Sequence, residues 1–297
     1  MQKTTSRLTA AFIGLVGTLA AATGAQAATV YANNPAPGDA FTNAGGSNQG
    51  QAIGASGWYY NNVRNGGTAG IDTALPNNGN GSVHFTGGSN AKADVEYLSG
   101  GTNVGGNYAA TTSLGTFANF NGMSYDWYRS SASAATPALH PALRVLLDLD
   151  GNLATTGDRG GLVFERSYNP GPPSAVPTDV WNTDTITSDT KLWNFGLAPL
   201  GTLYDLNSNA YSYDSSLADW KASTQLANAV VIGFSAGIGS GWDSFFGAVD
   251  NIAWTFGTQT TATNFEVARG TAVPEPATLA LVGMALAGLG LSRRRKA

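Results

Sequence analysis

One loop of the chain gathers several potential metal ligands. Asp148, Asp150, Asn152 and Asp158 follow an apolar segment and bring carboxylate and amide oxygens together. Calcium binds through about six to eight oxygens in a flexible shell, and it needs neither histidine nor cysteine. The loop is therefore a candidate site for a structural calcium ion. Asp and Asn are also common turn residues, and Gly151 is out of place for an EF-hand, so a plain turn is the alternative.

A second motif has the spacing of a catalytic serine but lacks its partners. Residues 233–237 have the sequence GFSAG, which fits the nucleophile elbow G-x-S-x-G and follows a buried apolar run. A hydrolase of that type needs a helix after the serine and a histidine later in the chain. Here a glycine-rich stretch follows, and both histidines, His84 and His140, come earlier. We therefore interpret Ser235 as part of a strand end with small residues.

Acidic residues elsewhere are candidates for the carboxylate pair of a glycosidase. That chemistry needs two carboxyl groups about 5 to 10 Å apart. Asp94 with Glu96, Asp126 and Glu165 are candidates by position alone, and their alternative interpretation is the solvated face of a sheet. The E-x-D-x-x-E run of concanavalin-type glycosidases is absent from the sequence. Two histidines without a metal-binding spacing, and no cysteine, also make a zinc site improbable. The sequence predicts a protein that is not an enzyme.

Aromatic residues make up 10% of the chain and are the remaining resource for binding. An exposed ring offers an apolar face to a pyranose, while a tyrosine or tryptophan edge can form a hydrogen bond. Tyr128 is opposite in phase to Tyr125 and Trp127, so one of these two sets faces outward. We expect most of the aromatic residues in the core and select Trp127, Tyr128 and Trp242 as a candidate ligand platform.

The elements that position these residues are predicted to be short strands joined by tight turns. Apolar and polar residues alternate with a period of two, for example where Lys92, Asp94 and Glu96 alternate with small or apolar residues. That alternation predicts a sheet with one side in water. Strands are predicted at Gly57–Val63, Ser82–Thr86, Ala91–Tyr97, Met123–Tyr128, Leu143–Leu149, Leu162–Arg166, Val180–Ile186, Leu192–Phe195, Ala229–Phe234 and Phe246–Trp254. A glycine turn is expected at 237–241, between neighbouring antiparallel strands, and one short helix at Ser215–Lys221.

Composition agrees with an exported all-β body. The chain has 39 glycines, 11% charged residues and no cysteine, so neither disulfides nor thiol chemistry are available. Its 15 basic and 19 acidic residues give a net charge of −4. Without the six basic residues and the one acidic residue of the two termini, 9 basic and 18 acidic residues remain, a net charge of −9. An acidic surface repels nucleic acid and anionic lipid, and divalent cations or neutral glycans fit it better.

The N-terminus has the anatomy of a secretory signal peptide. Lys3 and Arg7 precede an apolar stretch, and Ala25 and Ala27 form a small-residue cleavage site. We therefore predict a signal peptide over 1–27, whose apolar stretch forms a helix, and export through the Sec machinery. The mature chain then starts at Ala28, and its body runs to residue 272 as one domain.

The C-terminus has three parts in a fixed order. Val273, Pro274, Glu275 and Pro276 hold the backbone extended, and the apolar run 277–291 follows. As a helix the 15-residue run would be about 22 Å long, short of the ~30 Å hydrocarbon core. Four basic residues then stop transfer and stay in the cytoplasm; they are Arg293, Arg294, Arg295 and Lys296. A simple membrane anchor is the alternative to a sorting tail over 273–297.

This arrangement resembles the PEP-CTERM signal of Gram-negative bacteria, whose Pro-Glu-Pro motif is recognised by the membrane-embedded transpeptidase exosortase. The resemblance implies a route rather than an activity: export, a short-lived inner-membrane intermediate, cleavage near Pro274–Pro276, and release or attachment at the cell surface. Association with biofilm or exopolysaccharide is also what the resemblance implies.

The end of the body, residues 242–256, is similar to the closing hairpin of jelly-roll and concanavalin-like sandwiches, including carbohydrate-binding modules. The similarity rests on Gly241-Trp242 and on Val249-Asp250-Asn251-Ile252. It implies a single antiparallel β-sandwich and a second possible calcium ligand, Asp250, because related modules often hold a structural calcium there. The absence of a fixed repeat argues against a propeller or a solenoid.

Three functional hypotheses remain. The first is an exported, noncatalytic surface or matrix protein that binds glycan or exopolysaccharide. The second is a secreted carbohydrate-active enzyme, and the third is a matrix component without a ligand. An exposed aromatic strip favours the first, a cleft with two facing carboxylates the second, and a featureless surface the third.

Overall fold

The computed structural model of the protein describes residues 27–44, 50–101, 108–169, 175–197, 200, 205–206 and 213–268. Most of the predicted signal peptide, including Ala25, and the whole sorting tail 273–297 lie outside the described residues, as do the two terminal helices predicted there. Over the described part of the chain, no helix combines the length and the apolar character needed to cross a membrane.

The described body is built from strands, as the alternating sequence pattern predicts. The strands are β1 (Ala28–Tyr31), β2 (Gln51–Ala52), β3 (Trp58–Arg64), β4 (Thr68–Asn77), β5 (Gly81–Gly87), β6 (Lys92–Leu98), β7 (Gly115–Thr116), β8 (Phe120–Arg129), β9 (Ala142–Asp148), β10 (Arg159–Phe164), β11 (Trp181–Ile186), β12 (Trp193–Phe195), β13 (Val230–Ile238), β14 (Phe245–Phe256) and β15 (Gln259–Glu266). The α-helix α1 (Leu217–Ala222) falls where a helix is predicted. Ser216 begins it with a capping box, accepting a hydrogen bond from the Asp219 amide.

The strands form two sheets. The eight-stranded sheet has the order β12-β10-β9-β13-β6-β3-β2, with β7 added beside β13. In the seven-stranded sheet β14 is central: β8 and then β11 lie on one side of it. On its other side β14 pairs first with β5, which carries β4, and then with β15, which carries β1. The switch falls at Asp250 and Asn251, where Asn251 has a φ of 50°. All pairs except β1 with β15 are antiparallel, which confirms the predicted sandwich.

The main core lies between the two sheets and is rich in aromatic rings. Trp254 of β14 stacks on Phe234 of β13 at 4.4 Å between ring centroids, which joins the two sheets directly. Trp58 of β3 meets Phe265 of β15 edge to face at 4.9 Å. Fully burying a large apolar side chain stabilises the fold by about 1.5–3 kcal/mol. Because the chain has no cysteine and cannot form disulfides, packing of these rings is a main source of its stability.

The predicted glycine turn at 237–241 is wrong in position and in partners. β13 continues to Ile238, and β14 belongs to the opposite sheet, so the connection crosses the sandwich instead of joining neighbouring strands. Gly237 lies inside β13. A β-carbon at this position would come within 2.2 Å of the Ala93 carbonyl oxygen, so a glycine is needed there. The close approach of β6, and not a turn, explains this glycine.

The prediction that one side of β6 faces water is also wrong. Lys92, Asp94 and Glu96 are 8%, 1% and 1% exposed. β6 is a central strand between β13 and β3, and the outer side of its sheet carries a second, smaller hydrophobic cluster. That cluster comprises Tyr59, Leu98, Ala110, Leu146 and Ile232, with Tyr108 packed against it. The chain around Tyr108 and Ala110 thus covers the outer face of the eight-stranded sheet.

Candidate functional site

The outer face of the seven-stranded sheet is the open one, and its side chains form an aromatic and a polar row. Along β11 the residues that point outward are Trp181, Thr183 and Thr185, while Asp184 points inward to accept a hydrogen bond from Trp127. Tyr128 on β8 lies directly opposite Trp181 in the register. Their positions follow from the strand period of two, because neighbouring outward residues on paired strands come into contact.

The aromatic row begins with Trp181 and Tyr128, whose ring centroids lie 5.7 Å apart. The Tyr128 hydroxyl donates to Asp179 Oδ1 at 3.3 Å, which helps to hold the ring in place. This hydroxyl has a raised pKa because of partial desolvation and the nearby Asp179 charge, so it remains a hydrogen-bond donor at neutral pH. Val180 and Phe246 lie beside the pair and are 50% and 37% exposed. The row therefore presents apolar rings to solvent.

The aromatic row continues across the sheet over a small residue. Ala248 on β14 is paired with Tyr128 on one side and with His84 of β5 on the other. His84 Nδ1 lies 3.0 Å from Asp72 Oδ2, so the histidine is held on the face by β4. Ala248, which lies between Tyr128 and His84 in the register, is itself fully buried.

The polar row runs parallel to the aromatic one and is centred on Asp126. Its Oδ1 accepts a hydrogen bond from Thr183 at 2.6 Å. Its Oδ2 accepts from the side-chain amides of Asn77, at 2.9 Å, and Asn251, at 2.6 Å. Four elements are thus linked: β4, β8, β11 and β14. Amides and hydroxyls can both donate and accept, which suits the hydroxyl groups of a sugar.

The three predicted platform residues have different positions. Tyr128 lies on the open face. Trp127 does not, which corrects its selection as a platform residue: it is fully buried, donates to Asp184 Oδ2 at 2.7 Å and stacks on His140 at 4.7 Å. Trp242 lies after β13, packed against Phe245 at 5.4 Å, and is not part of the face either. Of the two sets of opposite phase, Tyr125 and Trp127 form the inner one.

Trp181 was not selected from the sequence although it completes the aromatic pair. The sequence around Trp181 indicates a binding residue only weakly, because Trp181 begins a strand in which most other residues are polar. Only the register of β11 against β8 brings it to Tyr128, and the two residues are more than fifty positions apart in the chain.

The predicted acidic loop does bring three carboxylates together. One oxygen from each of Asp148, Asp150 and Asp158 lies within 4.8 Å of the others. Asn152, the fourth predicted ligand, turns back on the loop, and its Oδ1 accepts from the Ala154 amide at 3.3 Å. The structure thus supports a carboxylate group of three rather than four side chains.

The second predicted calcium ligand, Asp250, lies where the partner of β14 changes from β5 to β15. Its Oδ1 accepts a hydrogen bond from the Phe265 amide at 2.9 Å, so the side chain fills a gap in the ladder. Burial raises the pKa of Asp250 to about 7, and the charges of Asp126 and Glu266 add to that rise. Its Oδ2 is buried and has no hydrogen-bond partner among the described residues, and the role of Asp250 as a calcium ligand stays a prediction.

Apart from Asp126, which lies on the open face, the candidate catalytic residues lie in or beside a buried charge cluster on the outer side of the eight-stranded sheet. Asp94 accepts from Lys92 Nζ at 2.5 and 2.6 Å and from Arg144 at 3.0 Å, and Arg144 also donates to Ser235 Oγ at 3.2 Å. These cations hold the pKa of Asp94 below its usual value despite the opposing effect of desolvation, which is the largest single influence. Desolvation raises the pKa of nearby Glu165 to about 7. Asp94 and Ser235 are therefore committed to structural contacts.

His140 is held as a neutral ring in the core. Desolvation lowers its pKa to about 3. Its Nε2 accepts from the Arg166 amide at 3.1 Å, and Nδ1 lies 3.0 Å from the Tyr125 hydroxyl.

Comparison with known proteins identifies one family model. The PEP-CTERM protein-sorting motif matches residues 272–296, which agrees with the tail predicted over 273–297. A comparison with curated proteins finds no significant match.

Among solved structures, the chain is similar to carbohydrate-binding modules of low sequence identity. One is a family 11 module from Clostridium thermocellum in complex with a β-1,3-1,4-mixed-linked tetrasaccharide: 13% identity, 71% of this chain and 96% of that chain covered, TM-score 0.36. Another is the family 11 module of the cellulosomal cellulase Lic26A-Cel5E of the same organism: 12% identity, 71% and 94% covered, TM-score 0.37. A third, from work on promiscuous modules of the β-sandwich superfamily, has 11% identity, 76% and 63% covered, and a TM-score of 0.32. At these TM-scores the likeness does not locate a ligand.

Proposed function

Because the chain carries a PEP-CTERM protein-sorting motif at residues 272–296, we propose that it is an exported, noncatalytic protein of the cell surface or extracellular matrix that binds a neutral polysaccharide. In this proposal the signal peptide directs the chain to the Sec machinery, and the short apolar run holds it in the inner membrane. Exosortase then cuts near Pro274–Pro276. The sorting motif supports the route, and the open sheet face supports the ligand class.

The observation that carries the ligand proposal is the half-buried pair of Trp181 and Tyr128 beside the polar row around Asp126. Carbohydrate rings have apolar C–H faces that stack on aromatic side chains, and hydroxyl edges that require hydrogen-bond partners. The aromatic row supplies the first kind of contact and the polar row the second. Both rows lie on an open sheet face and not in an enclosed pocket, so they suit an extended polymer better than a small molecule.

Charge favours a neutral polymer. The body between the predicted cleavage sites has a net charge of −9, and Asp126, Asp72 and Asp179 lie on or beside the open face. Carboxylates there accept hydrogen bonds from sugar hydroxyls but repel uronic acids, sulfated glycans and nucleic acids. We therefore expect binding to neutral glucans or similar polymers, and weak or no binding to anionic ones.

The proposal is tested with an array of neutral and anionic polysaccharides probed with the purified full chain. The expected result is binding to one or more neutral polymers, which is lost when Trp181 and Tyr128 are both replaced by alanine. Tyr31→Ala is the matched control, because Tyr31 is 52% exposed on β1 of the same sheet but outside the two rows. Its binding should equal that of the wild type.

Three outcomes contradict the proposal. Wild-type binding that survives in the Trp181→Ala/Tyr128→Ala variant excludes the open face as the site, and an array without any bound neutral polymer excludes the ligand class. Release of reducing ends from a bound polymer would identify a carbohydrate-active enzyme instead.

A further inference from the structure

The connection between β9 and β10 holds three carboxylates close together at one corner of the eight-stranded sheet. Asp148 ends β9, and Asp158 immediately precedes Arg159, which begins β10. One oxygen of each of Asp148, Asp150 and Asp158 lies within 4.8 Å of the others. Three like charges at this distance repel one another unless a cation lies among them.

The loop fixes two of these carboxylates through backbone amides. Asp158 Oδ2 accepts from the amides of Leu149, at 3.1 Å, and Asp150, at 3.0 Å. Asp150 Oδ1 accepts from the Asn152 amide at 2.7 Å. Within the described part of the chain, the other oxygen of each of these two side chains accepts no hydrogen bond and can take a further contact.

Among the described residues, Arg159 is the cation paired with this group, and it is directed away from most of it. Its Nε donates to Asp148 Oδ2 at 2.9 Å, and its terminal nitrogens donate to the carbonyl oxygens of Tyr108, Ala110 and Leu153. Arg159 therefore neutralises one carboxylate and holds the segment around Tyr108 and Ala110, which covers the sheet, by hydrogen bonds. Counting the guanidinium, the loop keeps two uncompensated negative charges.

A second observation, independent of the clustering, points to a missing ligand. Asp148 is 0% exposed, and its Oδ1 has no hydrogen-bond partner among the described residues. A buried acceptor without a partner costs about 1–3 kcal/mol, and more when it is charged. Such an atom in a folded protein calls for a partner, for example an ordered water or an ion.

We propose that Asp148, Asp150 and Asp158 bind one divalent cation of the calcium class, with Asp148 Oδ1 as the buried ligand. All three donors are hard oxygens, and no histidine or cysteine takes part, which favours calcium over zinc. The flexible coordination shell of calcium accepts carboxylates that a loop presents in irregular directions, and water or backbone carbonyls complete the shell. This site is separate from the open sheet face and does not depend on glycan binding.

The bound cation would join the end of β9 to the start of β10, next to the segment around Tyr108 and Ala110 that covers the sheet. Because it binds the folded state, it should raise the melting temperature of the protein in proportion to the logarithm of its concentration above Kd. The effect should be specific for calcium and larger than that of sodium chloride at equal ionic strength.

The test is a calorimetric titration of the metal-free full chain with CaCl2, combined with melting curves with and without EDTA. The variants are Asp150→Asn and Asp158→Asn, in which the amide oxygen still accepts from the backbone amides that hold the loop. Asp189→Asn is the matched control, because Asp189 is an exposed aspartate outside the loop. The expected result is one calcium ion per wild-type or control chain, and a Kd raised at least tenfold in both loop variants.

The proposal is overturned if the wild-type protein takes up no calcium and melts at the same temperature with EDTA and with calcium. It is also overturned if both loop variants bind calcium as the wild type does, or if Asp189→Asn weakens binding as much as they do. Asp148 is not mutated in this test, because its loss would also break the buried ion pair with Arg159.

Discussion

Replacing Glu96 with glutamine should stabilise the folded protein at pH 8 and leave it nearly unchanged at pH 4. Glu96 lies on β6 and is 1% exposed. Desolvation, and then the neighbouring charge of Asp94, raise its pKa from 4.5 to about 7, against the smaller opposing effects of Asn61, Lys92 and Arg144. Glutamine keeps an oxygen that can accept the 2.6 Å hydrogen bond from Asn61. The variant thus removes a charge without removing the contact.

The direction follows from the two pKa values. In the unfolded chain Glu96 ionises near pH 4.5, whereas in the folded chain it keeps its proton to about pH 7. Between these values the folded state binds more protons, so stability is lost as the pH rises. A gap of about 2.5 pKa units corresponds to roughly 3 kcal/mol at about 1.36 kcal/mol per unit. Glutamine has no proton to lose, so it avoids this loss.

The assay is urea unfolding of the wild type and Glu96→Gln at several pH values from 4 to 8. The difference in free energy of unfolding should grow by about 3 kcal/mol in favour of the variant over that range, or roughly 6–12 °C in melting temperature for a body of this size. Using the difference cancels other groups that titrate in the same range, such as Glu165. A difference that stays constant with pH, or a variant that is less stable at pH 8, would refute the reasoning.

Three further predictions follow from the structure. Asp94→Asn should destabilise the protein by about 3 kcal/mol at pH 7 in urea unfolding, because two buried cations lose their counter-charge; the exposed control Asp189→Asn should change stability by less than about 0.5 kcal/mol. Ser216→Ala should remove the capping box of α1 and cost about 1 kcal/mol in thermal unfolding, and an unchanged melting curve would contradict that role. Intact-mass measurement of protein from its native host should show loss of the signal peptide and of residues 293–296; a mature chain that retains 293–296 is a simple anchored protein.

The sequence predicts where strands lie better than which of their sides meets solvent. In β6 the alternation of Lys92, Asp94 and Glu96 with apolar residues correctly indicates a strand with two different faces. Alternation says only that the faces differ. Whether the polar face is wet depends on the distant segment around Tyr108, which covers the sheet, and on the cations that pair with the carboxylates. Neither contact leaves a local signal.

The same limit applies to the candidate binding face. The opposite phases of Trp127 and Tyr128 show that they point to different sides, but not which residue points to the core. The answer depends on the hydrogen bond of Trp127 to Asp184 and on the register that places Trp181 beside Tyr128. The acidic loop was easier to predict, because Asp148, Asp150 and Asp158 are close in the chain as well as in space.

The most direct test of the central claim is affinity electrophoresis of the full chain in gels that contain the best neutral polysaccharide. Each stacked aromatic ring is worth about 0.5–1.5 kcal/mol beyond its buried area. Trp181→Ala/Tyr128→Ala should therefore raise the Kd by about ten- to a hundredfold, since about 1.4 kcal/mol is a factor of ten. Tyr31→Ala should migrate as the wild type does. Equal retardation of the wild type and the double variant would contradict the claim that the open sheet face binds the polymer.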